Sequence, residues 1–337
     1  MKKIARYLAA CLFLAAILWA CVPGSLAVHA QTQPIAVYYK TTQLSSDTLY
    51  AIERDGTVMI PYKVLTASGR TGVTAKWKAS KKRLRLVRNN INLEMYKGKK
   101  EVVRNDEMSF TLPQKVCYST MAGVKQVMVP AKKICHLLGL TYSYDKTTAT
   151  VTLKPKKAVT TYSKTMKAKA FLLMSTEQFV KILGPIAQKN YHKSGVLASV
   201  TLAQAIHESW SGTSLLAQKG NNLFGMKKVL SGNNWSGSAW KGKVYVKKTK
   251  EQYGGKTVTI KAAFRKYDNV EQSIQDHSAY LVNSKNGSSR RYKGLTATKS
   301  YKKQIAILQK GGYCTFSNYG KNLIKEIKKY NLTKYDK

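Results

Sequence analysis

The sequence predicts an α+β protein in two parts: an N-terminal repeated small α+β domain, then a mainly helical domain with a small β lobe. Three observations predict it. Between residues 36 and 155, apolar and polar residues alternate in short runs, the period of half-buried strands. Within that stretch Val58-Met59-Ile60-Pro61 recurs as Val127-Met128-Val129-Pro130. Beyond Ser175 apolar residues return at helical spacing, broken by a stretch of Gly, Asn, Trp and Lys between Ser231 and Lys256.

Each Pro-ended copy is followed by a short helix-like run, a glycine (Gly69, Gly139), an aromatic (Trp77, Tyr144) and an alternating strand, at 83–87 and 149–153. In both copies the aromatic precedes the final leucine by nine residues. Such a repeat argues two related α+β units packed together. Residues 156–170, rich in Lys, Thr and Ala and without apolar period, read as a linker. In 171–335, Ser175 and Gln178 form a capping box that opens a helix through Phe179, Val180, Ile182 and Leu183. A second helix at 199–209 buries Leu202, Ala205 and Ile206. Val244-Tyr245-Val246 and Thr257-Val258-Thr259-Ile260 are strand-like, and helices return at 270–281, 301–308 and 318–330. Helices around a glycine-rich β insertion imply an α lobe, a β lobe and a cleft between them.

Across 337 residues, 44% hydrophobic and 10% aromatic content fits folded domains and not a disordered chain. Lys and Arg number 58 against 16 Asp and Glu, a net charge of +42, so polyanions are the expected partners. No motif that reads DNA or RNA is present, which sets nucleic acid aside. The N-terminus directs the choice. Lys2, Lys3 and Arg6 precede an apolar run from 8 to 22, then Val28-His29-Ala30, the layout of a cleaved secretory signal over 1–30. The run is short of the ~20 residues that span a bilayer. Leu18-Trp19-Ala20-Cys21 resembles a lipobox, so a lipid-anchored variant at Cys21 is the alternative. The expected location is outside the cell, associated with an anionic wall.

Cleavage after Ala30 leaves Cys117, Cys135 and Cys314, too few for a disulfide framework. Either Cys117 and Cys135 pair, or all three are inert thiols. The histidines (His29, His136, His192, His207, His277) have no metal-ligand spacing, so neither metal nor cofactor is expected. A monomer is expected.

From Tyr162 onward the carboxylates are Glu177, Glu208, Glu251, Asp268, Glu271, Asp276, Glu326 and Asp336. Glu177 suits the dipole of a first helical turn. Glu271 and Asp276 read as helix acids among cations, Glu326 as an acid between lysines, and Asp336 as part of a fraying terminus. Glu208 differs. It closes an apolar helix, where the dipole opposes an anion, and Trp210, Leu223 and Phe224 lie near it in sequence. Each influence raises a carboxyl pKa, as a general acid requires. Trp210, Trp235, Trp240 and Tyr313 offer flat faces to sugar rings or else pack in the core; Trp235 and Trp240, in polar glycine-rich sequence, are the better platforms.

The run Ser199-Val200-Thr201-Leu202-Ala203-Gln204-Ala205-Ile206-His207-Glu208-Ser209, then Gly212-Thr213-Ser214, then Asn221-Asn222-Leu223-Phe224-Gly225-Met226-Lys227 resembles the core of the bacterial N-acetylglucosaminidases of glycoside hydrolase family 73. That family is a branch of the lysozyme-like superfamily found in autolysins. The resemblance continues through Phe264-Arg265-Lys266-Tyr267-Asp268 and Asp276-His277 to Gly312-Tyr313, covering about half the chain. It implies a lysozyme-like fold for 171–335 and hydrolysis of peptidoglycan glycan strands at the β-1,4 bond after N-acetylglucosamine. By position, Glu208 matches the catalytic acid and Tyr267 an active-site tyrosine. Asn222 and Phe224 match cleft-shaping residues, and Glu251 lies where relatives often carry a second acid. His207-Glu208-Ser209-Trp210-Ser211-Gly212 replaces the more usual Glu-Ser-Gly-Trp-Gly, which points to a different turn after the acid. Cys314-Thr315-Phe316-Ser317 replaces Ala-Thr-Asp, removing an acid. The repeat in 36–155 resembles the copper amine oxidase N-terminal-like domain of secreted Gram-positive proteins; no copper-ligand spacing accompanies it, so a binding or spacer role is implied. An inactive wall-binding protein and a lytic transglycosylase are the competing functions.

Overall fold

Prolines at the ends of two apolar runs set the N-terminal architecture. The structure is a computed structural model that describes residues 33–230, 237–253 and 256–337. The expected signal segment and Trp235 lie outside the described residues, as do the side chains of 249–258, Glu251 among them. The first part runs β1 (Ala36–Tyr39), β2 (Thr42–Gln43), β3 (Ile52–Arg54), β4 (Thr57–Pro61), α1 (Tyr62–Thr66), β5 (Thr74–Lys78), β6 (Arg83–Arg88), β7 (Ile91–Tyr96), β8 (Glu101–Arg104), β9 (Met108–Thr111), β10 (Cys117–Met121), β11 (Val124–Pro130), α2 (Ala131–Leu137), β12 (Leu140–Asp145) and β13 (Thr150–Pro155).

Pro61 and Pro130 each end a strand and stand at the N-cap of the helix that follows, where a missing N–H does no harm. The two Val-Met-x-Pro runs are neighbours: β4 and β11 pair antiparallel, Ile60 opposite Val129. They are the central strands of the sheet β10-β11-β4-β3. A second sheet, β12-β13-β1-β2, pairs β1 parallel to β13, and β5 to β9 form an antiparallel meander. Val64 and Leu65 of α1 and Ile134 and Cys135 of α2 are fully buried against this core.

The second part opens with a 3-10 helix at Ala168–Leu173, then α3 (Thr176–Ser194), α4 (Ala198–Ser209), α5 (Leu215–Gly220), β14 (Val244–Tyr253), β15 (Lys256–Arg265), α6 (Val270–Asn283), the two-residue strands β16 (Lys285–Asn286) and β17 (Ser289–Arg290), α7 (Tyr301–Lys310), α8 (Tyr319–Lys329) and a 3-10 helix at Leu332–Tyr335. The capping box at α3 is complete: Ser175 Oγ accepts the Gln178 N–H, and Gln178 Oε1 accepts the Ser175 N–H. Every residue of α4 from Ala198 to Ile206 is buried, so α4 is the central helix of this half. The hairpin β14–β15 pairs from Val244 opposite Arg265 to Tyr253 opposite Lys256 and forms the lobe.

Residues Gln33–Lys337 make one compact unit. Met166 and Ala168, within the stretch read as a linker, are buried in the helical core. Asn105 Nδ2, in the β8–β9 turn, donates to Thr213 Oγ1 at 3.0 Å. Glu107 joins three elements: Oε2 accepts the Leu215 N–H opening α5 (2.6 Å), and Oε1 pairs with Lys247 of β14 (2.9 Å). Asp336 does not fray. Its Oδ1 accepts the Ser199 N–H in the first turn of α4 at 2.8 Å, an orphan donor that the helix cannot satisfy itself. Cys117, Cys135 and Cys314 are all free; Cys117 Sγ accepts from Arg54, and burial pushes the Cys135 thiol up to about 12. No described helix is long and apolar enough to cross a membrane.

Candidate functional site

Glu208 occupies the last turn of α4, partly exposed while nearly all of its helix is buried. Burial raises its pKa above the ordinary carboxyl value; a hydrogen bond from Tyr319, at the start of α8, opposes part of that rise. Tyr319 Oη donates to Glu208 Oε1 at 2.9 Å and accepts from Gln204 Nε2, one helical turn before Glu208, at 3.1 Å. One carboxyl oxygen is therefore fixed, and Oε2 is left to carry a proton. Trp210 contributes less than its place in the sequence implies, being 45% exposed.

The chain after Glu208 turns left-handed for three residues: φ is 49° at Trp210, 54° at Ser211 and 80° at Gly212. Gly212 must lack a side chain, because an added Cβ would lie 2.6 Å from the buried ring of Phe171. Thr213 then returns its N–H to Ser209, and Ser214 caps α5 through the Ala217 N–H.

Behind Tyr319 runs a line of stacked rings. Tyr313 stacks on Tyr319 with centroids 5.8 Å apart, and its hydroxyl bonds His277 Nε2 at 3.0 Å. His277 lies flat on Phe224 at 3.8 Å. Burial lowers the His277 pKa to about 3, so the ring is neutral at neutral pH. Glu208, Tyr313 and Phe224, expected at the site, thus belong to one connected set.

Tyr267, Asn222 and Trp240 belong to another. Tyr267 is 2% exposed and donates its hydroxyl to Asp276 Oδ2 at 2.6 Å. Asp276 is fully buried, paired with Arg265 Nη1 at 2.9 Å, and also accepts from Ser238. It is the hub of a buried ion pair, not a surface acid among cations. Arg265 covers one face of Trp240, 4.5 Å from its centroid, and the indole N–H donates to Lys243 O. Asn222 is 1% exposed and fully engaged in its loop: Nδ2 donates to Met226 O and Arg265 O, and Oδ1 accepts from Phe224 and Met226 N–H. Tyr267 also lines a hollow of about 640 Å³ with Asn221, Lys243, Lys266, Asp268 and Asn269, away from Glu208. The two sets meet at the Asn222–Phe224 hydrogen bond and on α6, where Asp276 holds one and His277 the other. Glu251 lies on β14 opposite Val258.

The remaining acids have structural partners or positions. Glu177 is held low by backbone and Ser175 hydrogen bonds in the first turn of α3. Lys243 and Lys241 hold Asp268 down to about 2, and Glu271 accepts from Tyr162. Among the described residues no group of three or more His, Cys, Asp or Glu is placed to hold a metal. Sequence reading missed Tyr319. Its only local signal is an aromatic beside Gly320, where any Cβ would strike Gln309, so that α7 and α8 pack close.

This half of the chain is thus a helical core with a burial-raised carboxyl in the last turn of α4, flanked by a two-stranded lobe. Residues 184–332 match the glucosaminidase family, described as mannosyl-glycoprotein endo-beta-N-acetylglucosaminidase, and form a domain of that family. The chain is 39% identical to exo-glucosaminidase LytG of Bacillus subtilis over 47% of its own length and 52% of the relative's. It is 34% identical to a probable N-acetylmuramidase of Lactococcus lactis over 48% and 35% of the two lengths. The chain thus spans about half of LytG and less of the Lactococcus protein. The crystal structure of the catalytic domain of the autolysin Auto from Listeria monocytogenes aligns with a TM-score of 0.42 and 34% identity, over 48% of this chain and 87% of that domain.

Proposed function

We propose that this chain is an exported, wall-associated peptidoglycan hydrolase that cleaves the β-1,4 bond on the reducing side of N-acetylglucosamine, with Glu208 as general acid. The observation that carries the reading is the state of Glu208: raised by burial, fixed through Oε1 by Tyr319, and still partly exposed. Burial biases this carboxyl toward its protonated form, and in this reading the proton passes from Oε2 to the departing glycosidic oxygen. The family match and the relatives named for glucosaminidase and muramidase activity support the substrate class.

The second half of the reaction falls to Glu251 activating water or to the substrate's acetamido group. The buried Tyr267 hydroxyl, donated to Asp276, supports a role in positioning the loop after β15 over direct contact with sugar. Residues 36–155 act as a binding or spacer domain, and the net charge of +42 holds the monomer to anionic wall polymers. Mass spectrometry of muropeptides released from purified walls tests the proposal. Reducing N-acetylglucosamine ends support it. Reducing N-acetylmuramic ends contradict the bond, anhydro-muramic ends indicate a lytic transglycosylase, and no release from a folded protein indicates a binder alone.

A further inference from the structure

Trp210 stands against the interests of stability. It takes the left-handed conformation, φ 49° and ψ 54°, which disfavours any residue with a Cβ and which glycine or asparagine adopts more readily. It also leaves 45% of a large aromatic surface exposed. An apolar residue that is both strained and exposed at a functional loop calls for a ligand.

Its ring lines a cleft of about 240 Å³ whose other polar walls come from the N-terminal domain: Asn89, Asn90, Asn92, Asn105 and Asp106. The walls are fixed beforehand. Asn90 Nδ2 donates to Met174 O at 3.0 Å, and Asn105, 2% exposed, accepts from the Asn92 N–H and donates to Thr213. Among the described residues Asp106 is exposed with no bonded partner; the Asn92 carboxamide oxygen also has none, but it is buried. In a chain of net charge +42, none of the lining residues is basic. The cleft is therefore unsuited to a polyanion. An aromatic face beside amides and one carboxylate suits a neutral, hydroxyl-rich ring with an apolar face, which is a pyranose.

We propose that Trp210 and the Asn/Asp wall of the β6–β7 and β8–β9 turns form a neutral-sugar subsite, shared between the two halves of the chain. Glu208 is two residues away, so the subsite takes the continuation of a glycan strand bound at the acid. The N-terminal domain thereby reads the strand being cut. This inference rests on the glycan-hydrolase reading, but its test does not need turnover.

Isothermal titration of the full chain carrying Glu208→Gln, which leaves the ligand intact, measures affinity for chitohexaose. Adding Trp210→Gly or Trp210→Asn, both suited to the left-handed position, should weaken that affinity several-fold to about tenfold, the range of one lost aromatic contact. Asp106→Ala should weaken it in the same direction. Affinity for dextran sulfate, a polyanion, should stay the same. Unchanged chitohexaose affinity in folded variants, or an equal loss toward dextran sulfate, overturns the subsite. If the hydrolase reading alone fails, walls yield no fragments while chitohexaose binding still depends on Trp210.

Discussion

Replacing Tyr319 with Phe removes one oxygen from the centre of the proposed site. The ring remains to stack on Tyr313, but Glu208 loses the O–H donor at 2.9 Å and Gln204 loses its acceptor at 3.1 Å. A hydrogen bond to a charged group is worth about 1.5–3 kcal/mol and one to a neutral group about 0.5–1.5 kcal/mol. Tyr319 therefore favours ionised over protonated Glu208 by roughly 1–1.5 kcal/mol. Without it burial acts unopposed and the raised pKa of Glu208 rises further. In the proposed mechanism the protonated acid works, so the alkaline limb of kcat/KM against pH should move up. The plateau should fall, because Oε1 is no longer fixed. Gln204, fully buried, keeps an unsatisfied amide, which should lower unfolding stability by about 1–3 kcal/mol in urea titration. An alkaline limb that stays in place while stability falls would reduce Tyr319 to a packing residue. A limb that moves down would refute the reasoning.

Three further outcomes follow from the same structure. Asp276→Ala removes the buried carboxylate that pairs with Arg265 Nη1 at 2.9 Å and accepts from Tyr267 and Ser238, and should cost about 3–5 kcal/mol, seen as a large fall in the urea midpoint. Glu107→Ala removes both the Leu215 N–H bond and the Lys247 pair and should cost about 1.5–3 kcal/mol; an unchanged midpoint would contradict the described joint between the halves. Sedimentation with purified walls should show release as salt shortens the screening length to about 3 Å at 1 M, whereas retention at molar salt would show that charge is not the main anchor.

Local chemistry was readable in the sequence and long-range partnership was not. The capping box at Ser175, the strands of the two Val-Met-x-Pro runs, the lobe hairpin and the long helices depend on neighbours within a few residues, and they occur where patterning places them. Glu208 stood out as a candidate because a helix end and its motif are local too. Tyr319 lies 111 residues from Glu208, Asn105 lies 108 from Thr213, and Asp336 lies 137 from Ser199. No periodicity links such pairs, so Asp336 read as a loose end and Asp276 as a surface acid until packing showed what each bonds. The five-residue α1 and six-residue α5 are too short to set a period.

Glu208 also links pH to stability. Because its folded pKa is raised, it contributes stability in full below the ordinary value of 4.5, and loses it as pH rises through the raised value. Glu208→Gln should remove that dependence along with catalysis, keeping the shape but no transferable proton. The most direct measurement is the rate of fragment release from purified walls by Glu208→Gln beside the parent, with unfolding midpoints taken for both. The account predicts a loss of at least about 10²–10⁴ in rate at a midpoint near the parent's. A folded Glu208→Gln protein that releases fragments at close to the parent's rate would contradict it.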